Sequence, residues 1–354
     1  VTPAQPTRPH TWDQFIVDAG LDPDDVETVG GVQVRGWDAP TGERMRYYRL
    51  TLRRRDAGVN VDELLALVRG ARPRPSARTP QDGRRAPGAF VVLLGDLQLG
   101  KGDGDGPEGT WRRTFDDLDL AAARYRQLRR RDSLPHVHVA FLGDCIEGRV
   151  SQGGRNIWRT PLTLTEQLRL TRRVMLETVR LFAPLADTMS VVSIPGNHDE
   201  VGRDQATRFD DSYAVDALDQ VGMALAENPA AYSHVQLHTP PRDRLTVALD
   251  VAGTGVAHAH GHQWQTGREH QWWQAQAFYE HATGDAQLLV AGHRHHFASW
   301  TRGRRTFIQV PALESESAWW LNKTGELGAP GIVSLVVRDG GWDRVTVHNT
   351  KGAT

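Results

Sequence analysis

Short apolar runs recur along the chain, and several stop at the same kind of residue. Ala89–Leu94 ends in Gly95-Asp96, residues 137–142 end in Gly143-Asp144, and residues 190–194 end in Pro195-Gly196-Asn197-His198-Asp199. Apolar runs of this length, bounded by glycine or proline, predict buried strands. Residues 115–131 and 163–182 carry helical patterning, the second opened by a capping box of Thr163 with Glu166. Further runs at 245–251, 255–260, 287–291, 306–310 and 332–337 predict more strands, with a helix over 269–281 among them. Strands alternating with helices predict an α/β fold in which helices cover sheets.

The beginning of the chain reads differently. Thr11-Trp12-Asp13-Gln14 has the form of a capping box, and Gly20 would end the short helix it opens. Strands at 32–37 and 46–52 are joined by the turn-forming Ala39-Pro40-Thr41-Gly42. A helix and hairpin of about 55 residues have only a marginal core. This part is therefore expected to dock, on its own catalytic domain, on an oligomer or protein partner, or on a nucleic acid. A short helix over 61–68 follows. Residues 70–88 are mostly Arg, Pro, Gly, Ser and Gln, which cannot bury a core and predict a flexible linker. The expected organisation is a small helix-hairpin domain at 1–55, a short helix and linker at 56–88, and a catalytic domain at 89–350.

Composition changes this picture little. Hydrophobic residues make up 39% and charged residues 24%, which suits a soluble globular protein. No apolar run approaches the roughly 20 residues of a membrane span, and residues 1–10 lack the apolar core of a signal peptide. Cys145 is the only cysteine, so no internal disulfide can form, and a cytoplasmic location is expected. The net charge of −1 gives no support to nucleic-acid binding by the chain as a whole. A basic run on one helix (Arg124, Arg126, Arg129, Arg130, Arg131) suits a nucleic-acid patch but better suits a solvated helix end. Trp264, Trp272 and Trp273 could stack bases, though core packing is the stronger expectation.

The polar residues at the strand ends carry the chemistry. They are Asp96-Leu97-Gln98, Asp144, Asn197-His198-Asp199, His258-Ala259-His260-Gly261-His262 and Gly292-His293-Arg294-His295-His296. In layered α/β folds, sites collect at the carboxyl ends of strands. Carboxylate, carboxamide and imidazole together suit manganese, iron or zinc, and the lack of cysteine ligands argues against a closed structural zinc site. Two ions about 3.5–4 Å apart can clamp the attacking and leaving oxygens of a phosphoryl group.

In this order the motifs resemble those of the calcineurin-like metallophosphoesterase superfamily: Asp-x-His, Gly-Asp, Gly-Asn-His-Asp/Glu, His and Gly-His-x-His. The resemblance spans roughly residues 89–319. It implies a four-layer α/β/β/α sandwich, with a small N-terminal α+β appendage, and two divalent ions. Manganese is preferred, with iron, zinc and magnesium as alternatives. It implies that Asp144 bridges the ions, that Asp96 and His295 bind the first, and that Asn197, His260 and His293 bind the second. His258 and His262 are alternatives to His260. The resemblance also implies hydroxide attack on phosphorus, with His198 stabilising phosphoryl oxygens or protonating the leaving group. Asp199 would orient His198.

Gln98 departs from the family's histidine. A carboxamide oxygen is a harder, weaker donor than imidazole, so the first site is expected to be weaker or shifted towards manganese or magnesium. A Gly-Asp-x-Gln-x-Gly-Lys segment like residues 95–101 resembles phage-encoded members. Arg155, Asn156 and Lys101 are candidate substrate-binding residues, and Glu147 lies in the same loop region as the first two. The expected activity is hydrolysis of a phosphate ester, preferentially a phosphodiester such as DNA, by analogy with SbcD-like nucleases. A nucleotide or small-molecule phosphomonoesterase is the runner-up. A metal-free scaffold in a nucleic-acid-processing assembly is a third reading.

Overall fold

The computed structural model describes residues 16–17, 21–24, 26–28, 33–38, 41–42, 44–49, 52–54, 61–66, 86–154, 160–202, 207–315, 321–322, 325 and 327–350. The Thr11–Gln14 capping box, Gly20, most of the 70–88 linker, Arg155 and Asn156 lie outside the described residues. The chain divides into two compact units, residues 1–59 and 60–354.

In the first unit, β1 (Val26–Thr28) pairs antiparallel with β4 (Leu52–Arg54). β2 (Gln33–Asp38) pairs antiparallel with β3 (Arg44–Arg49) from Gln33↔Arg49 to Asp38↔Arg44. The second unit opens with α1 (Val61–Ala66), whose Asp62 meets Arg169 at 2.9 Å.

A six-stranded sheet runs in the order β15-β14-β5-β6-β7-β8. Its strands are β5 (Ala89–Leu94), β6 (His136–Phe141), β7 (Thr188–Ser193), β8 (Val235–His238), β14 (Ile332–Arg338) and β15 (Gly341–His348). Strands β5 to β8 are mutually parallel, so their carboxyl ends share one edge of the sheet. A five-stranded sheet runs in the order β12-β13-β11-β10-β9. Its strands are β9 (Val247–Val251), β10 (Thr254–Ala259), β11 (Leu288–Ala291), β12 (Ala298–Arg302) and β13 (Arg305–Gln309), with β10, β11 and β13 parallel.

Alternate residues of both sheets face each other in one apolar cluster. Val91, Leu93, Ala140, Leu142 and Val192 meet Val256, Leu288, Val290 and Ile308 there. The other face of the six-stranded sheet packs on helices: the Phe90 ring lies 5.2 Å from Tyr125 on α2 (Gly106–Leu128). Helix α3 (Leu164–Phe182) starts at the expected capping box, Thr163 with Glu166. α4 (Tyr213–Ala226) packs beside it, capped by the Ser212 side chain. The short α5 (Pro229–Tyr232) precedes β8. The outer face of the five-stranded sheet, through Ala257, Leu289, Ala291 and Phe307, packs on Trp264 and Trp273. Trp273 belongs to α6 (Glu269–Phe278) and donates its indole N–H to the carbonyl of Thr283 on α7 (Ala282–Asp285). Two of the three tryptophans are therefore core residues. Among the described residues, no helix is long and apolar enough to cross a membrane.

Helix α2 begins earlier than its apolar periodicity suggests, because the acidic Asp105 side chain answers Arg113 across two turns. The arginines at its other end are partly engaged. Arg129 bonds the Leu185 carbonyl and lies over the Tyr125 ring.

One polar pair interrupts the apolar interface between the sheets. His138 Nε2 lies 2.8 Å from His258 Nε2, both rings are fully buried, and His258 Nδ1 bonds the Val247 carbonyl. Burial and the neighbouring imidazoles hold His138 well below the ordinary histidine pKa, so the pair is neutral and shares one proton. Replacing His138 by Ala opens a cavity and strands the His258 ring nitrogen, at a cost of about 2–5 kcal/mol. The double change His138→Leu/His258→Leu removes both polar groups and should recover much of that loss in urea unfolding. A double variant no more stable than the single one would refute this account.

Candidate metal centre

Each motif follows a strand, and the strand ends converge. Asp96 follows β5, Asp144 follows β6, Asn197 follows β7, His260 follows β10, and His293 follows β11. The two sheets meet through a bond at the first motif: the His293 backbone N–H donates to Asp96 Oδ2 at 2.7 Å. The His198 backbone N–H donates to Asp144 Oδ1 at 2.8 Å. The Gln98 backbone N–H donates to the Asp144 carbonyl, also at 2.8 Å.

The local backbone is strained at these points. Asp96, Gln98, Asp144, His293 and His295 all have left-handed φ, between 38° and 72°. Such a conformation costs a non-glycine residue about 1–3 kcal/mol and persists where surrounding contacts fix it. Three of the motif glycines serve a second purpose, since each makes room for another motif's side chain. A Cβ on Gly292 would stand 2.6 Å from Asp96 Oδ2. One on Gly196 would overlap Asp144, and one on Gly143 would stand 2.8 Å from His260 Nδ1.

The imidazoles are held by one nitrogen and offer the other. His260 Nδ1 donates to the Leu142 carbonyl at 2.7 Å, which leaves Nε2 facing Asp144 Oδ2 at 3.1 Å. His295 Nδ1 meets Glu314 Oε1 at 2.9 Å, which leaves Nε2 facing Asp96 Oδ1 at 3.2 Å. In both cases a ring lone pair points at a buried carboxylate. A proton or a cation must lie between them. Ligand atoms of Asp144, His260 and His293 come within 4.8 Å of one another, close enough to surround one ion. Gln98 is buried and its Nε2 lies 3.4 Å from His295 Nε2, so it belongs to the same cavity. Asn197 stands between Gly196 and His198 at the end of β7. Donors of this kind fit an intermediate divalent ion. His258 is spent on His138 and Val247, while the His262 ring lies 5.3 Å from His260 and 6.2 Å from His293.

Asp199 does not orient His198. Its carboxylate accepts the backbone N–H groups of Cys145 and Gly196 at 3.0 Å and of Ile146 at 3.3 Å, which ties the second and third motifs together. A buried carboxylate beside three free amides bonds them rather than a ring. The group at His198 is instead Glu147, whose carbonyl lies 3.1 Å and whose Oε2 lies 3.4 Å from His198 Nδ1. Ser151 fixes the other Glu147 oxygen at 2.7 Å. His198 Nε2 points towards Asp144 Oδ2, 3.9 Å away. Lys101 does not face the cavity as a free cation, because it pairs with Glu314 at 2.8 Å. Glu314 was not singled out by sequence. It lies in no motif, and only its contacts reveal it.

No protein-family model and no curated protein matches the chain. Solved structures do. One is a predicted phosphoesterase from Streptococcus pneumoniae TIGR4, at 11% identity over 72% of this chain and 86% of that chain, with a TM-score of 0.32. An archaeal phosphodiesterase matches at 12% identity over 73% and 99%, with a TM-score of 0.34. Vps29 from Entamoeba histolytica, complexed with zinc, matches at 14% identity over 73% and 99%, with a TM-score of 0.34. Likeness of this size decides nothing about activity.

Two tests follow from the geometry. Gly292→Ala should displace the Asp96 carboxylate and weaken metal uptake, read by titration; unchanged uptake would show that the close approach is not needed. The second test is pH. Burial opposes charge on His260, but Asp144 and Asp96 raise its pKa to about 9. Burial likewise opposes charge on His295, but Asp96 and Glu314 raise it to about 10. His198 is raised to about 9 by Asp144 and Glu147 against its burial. A raised histidine contributes stability that is full below the unfolded value of about 6.5 and is lost as pH climbs through the folded value. Asp199, raised by burial to about 7, and the depressed His138 and His258 act at lower pH. Chelator-treated protein should therefore lose thermal stability between about pH 7.5 and about pH 10. A flat melting temperature across that window would contradict the protonated pairs.

In the order of its motifs and in their meeting at one cavity, the chain resembles the calcineurin-like metallophosphoesterases, with Gln98 as the departure.

Proposed function

We propose that this protein is a metal-dependent phosphoesterase that hydrolyses phosphodiester bonds. The observation that carries this reading is the pair of confrontations at buried carboxylates, His260 Nε2 with Asp144 Oδ2 and His295 Nε2 with Asp96 Oδ1. Imidazoles already held by one nitrogen and aimed at carboxylates are built for cations. In this reading Asp144 is shared, Asp96, Gln98 and His295 serve one ion, and Asn197, His260 and His293 serve the other. Manganese suits a set in which a carboxamide replaces one imidazole.

Two such ions, when bound, supply Lewis acidity towards the phosphoryl oxygens and lower the pKa of water. The chain supplies the rest. His198 is a partly open imidazole that the ligand assignment leaves uncommitted. Its Nδ1 donates to Glu147. Against its burial, its neighbours raise the ring's pKa to about 9, so the ring is protonated at neutral pH and Nε2 also carries a proton and can face a substrate. From there it can donate to a phosphoryl oxygen or to the leaving oxygen. Asp199 acts through the backbone, by fixing the turns that carry Asp144 and His198.

Charge supports a diester over a monoester. Lys101 is committed to Glu314, and Arg294 donates to the Trp264 carbonyl. Among the described residues, Lys101 thus has its charge balanced internally, which suits a singly charged phosphate better than a dianion. DNA is the preferred diester.

Manganese-loaded protein should hydrolyse bis-p-nitrophenyl phosphate in preference to p-nitrophenyl phosphate and should cleave single- or double-stranded DNA. His198→Ala should slow diester hydrolysis by about 10²–10⁴-fold with metal uptake unchanged. Cleavage of the monoester alone would replace this reading with a phosphomonoesterase. Failure to take up any metal would replace it with a scaffold.

A further inference from the structure

Glu314 is a buried carboxylate that no motif includes, only 5% exposed, in the segment that follows β13. One oxygen meets His295 Nδ1 at 2.9 Å and the other meets Lys101 Nζ at 2.8 Å. The segment is attached along its length to the loop of the first motif. Leu313 N donates to the Asp96 carbonyl, and Glu314 N donates to the same oxygen, both at 3.1 Å. Ser315 Oγ donates to the Asp103 carbonyl at 2.7 Å, and the buried Arg113 donates to the Leu313 carbonyl at 3.0 Å. Lys101 N donates to the Gln98 carbonyl at 2.9 Å. The loop that carries Gln98 therefore also carries the lysine that holds Glu314.

Burying a carboxylate costs several kcal/mol unless it is paired and hydrogen-bonded. Here both partners are present, and the array reads Lys101, Glu314, His295, Asp96 in alternating sign when His295 is protonated. Its chemical effect falls on His295. A carboxylate at Nδ1 fixes the tautomer, orients the ring and makes Nε2 a stronger donor. Lys101 balances the charge of Glu314 and holds its second oxygen, so the carboxylate stays aimed at the ring.

This half of the cavity is where a stronger donor is needed. With glutamine at position 98, His295 is the one imidazole beside Asp96 that the family pattern assigns to this ion. We propose that Glu314 and Lys101 are positioning residues that strengthen His295 as a metal ligand in the half of the site where Gln98 stands in place of histidine. Lys101 is on this account a support of the centre and not a hook for substrate phosphate. The inference rests on the metal reading above.

The test is metal titration of the full chain with Mn²⁺ and with Zn²⁺, in competition with a chromophoric chelator. The wild type should take up two ions. Glu314→Gln should weaken one of them by about 10–100-fold and leave the other unchanged. Lys101→Met should move the same ion in the same direction, and Lys101→Arg should restore it. In a Gln98→His background, where a second imidazole is present, Glu314→Gln should lose less. A merely structural role would lower both affinities together with thermal stability, and that outcome would overturn the proposal. Two unchanged affinities in Glu314→Gln would overturn it alone. A wild-type chain that takes up no ion would overturn both it and the metal reading. Should Glu314→Gln fail to fold, the Lys101 pair of variants decides by the same criterion.

Discussion

The backbone N–H of His293 donates to Asp96 Oδ2, and the bond crosses from one sheet to the other. Everything else in the cavity depends on that crossing. It requires β5 and β11 to present their carboxyl ends on the same edge, which their parallel neighbours allow. It requires Asp96 and His293 to turn through left-handed backbone. It also requires Gly292 to have no Cβ. The carboxylate is thus fixed by one oxygen before any ion arrives, and the other oxygen is left to His295.

The apolar interface between the sheets makes such strain tolerable. Alternate residues of β5, β6, β10 and β11 are fully buried against one another. Burial of each such side chain contributes about 1.5–3 kcal/mol, comparable with the cost of each left-handed turn. The strained residues are also locally bonded. Asp144 accepts from His198, and Asp199 gathers three amides behind it. The polar centre is a stiff network at the rim of a dry core. Within it, Asp96 Oδ1 and His260 Nε2 are left without a hydrogen-bond partner, and both face the cavity.

The sequence made the strands of the core and the motif order legible, because period and position along the chain carry both. Residues 89–94 are apolar throughout and 332–337 apolar except for Ser334, as suits strands buried on both faces. Of the four edge strands of the two large sheets, β9 matches the run at 245–251, while no predicted run covers β8, β12 or β15. β12 and β15 consist almost wholly of exposed and part-buried residues, and their polar sequences resemble loops. Helix α4 has a serine cap and an amphipathic face, so its signals are present in the sequence. Glu147 and Glu314 could not be assigned roles because those roles exist only in the fold: one side chain reaches His198, the other His295. Asp199 shows the converse. Its place beside His198 suggested a contact that the chain's turn denies, since consecutive residues leave such a turn in different directions.

The glycine contacts bear on which positions can change. Gly292 is the receptacle for Asp96, Gly196 for Asp144, and Gly143 for His260. Three motifs thus hold the space in which another motif works, and a change in one has to be matched by a change in its counterpart. The side chain of Gln98 has no such counterpart among the motif glycines. It meets a ring edge at His295. Variation in the ligand set should therefore enter where the motifs are least interlocked, and the first motif's third position is that place.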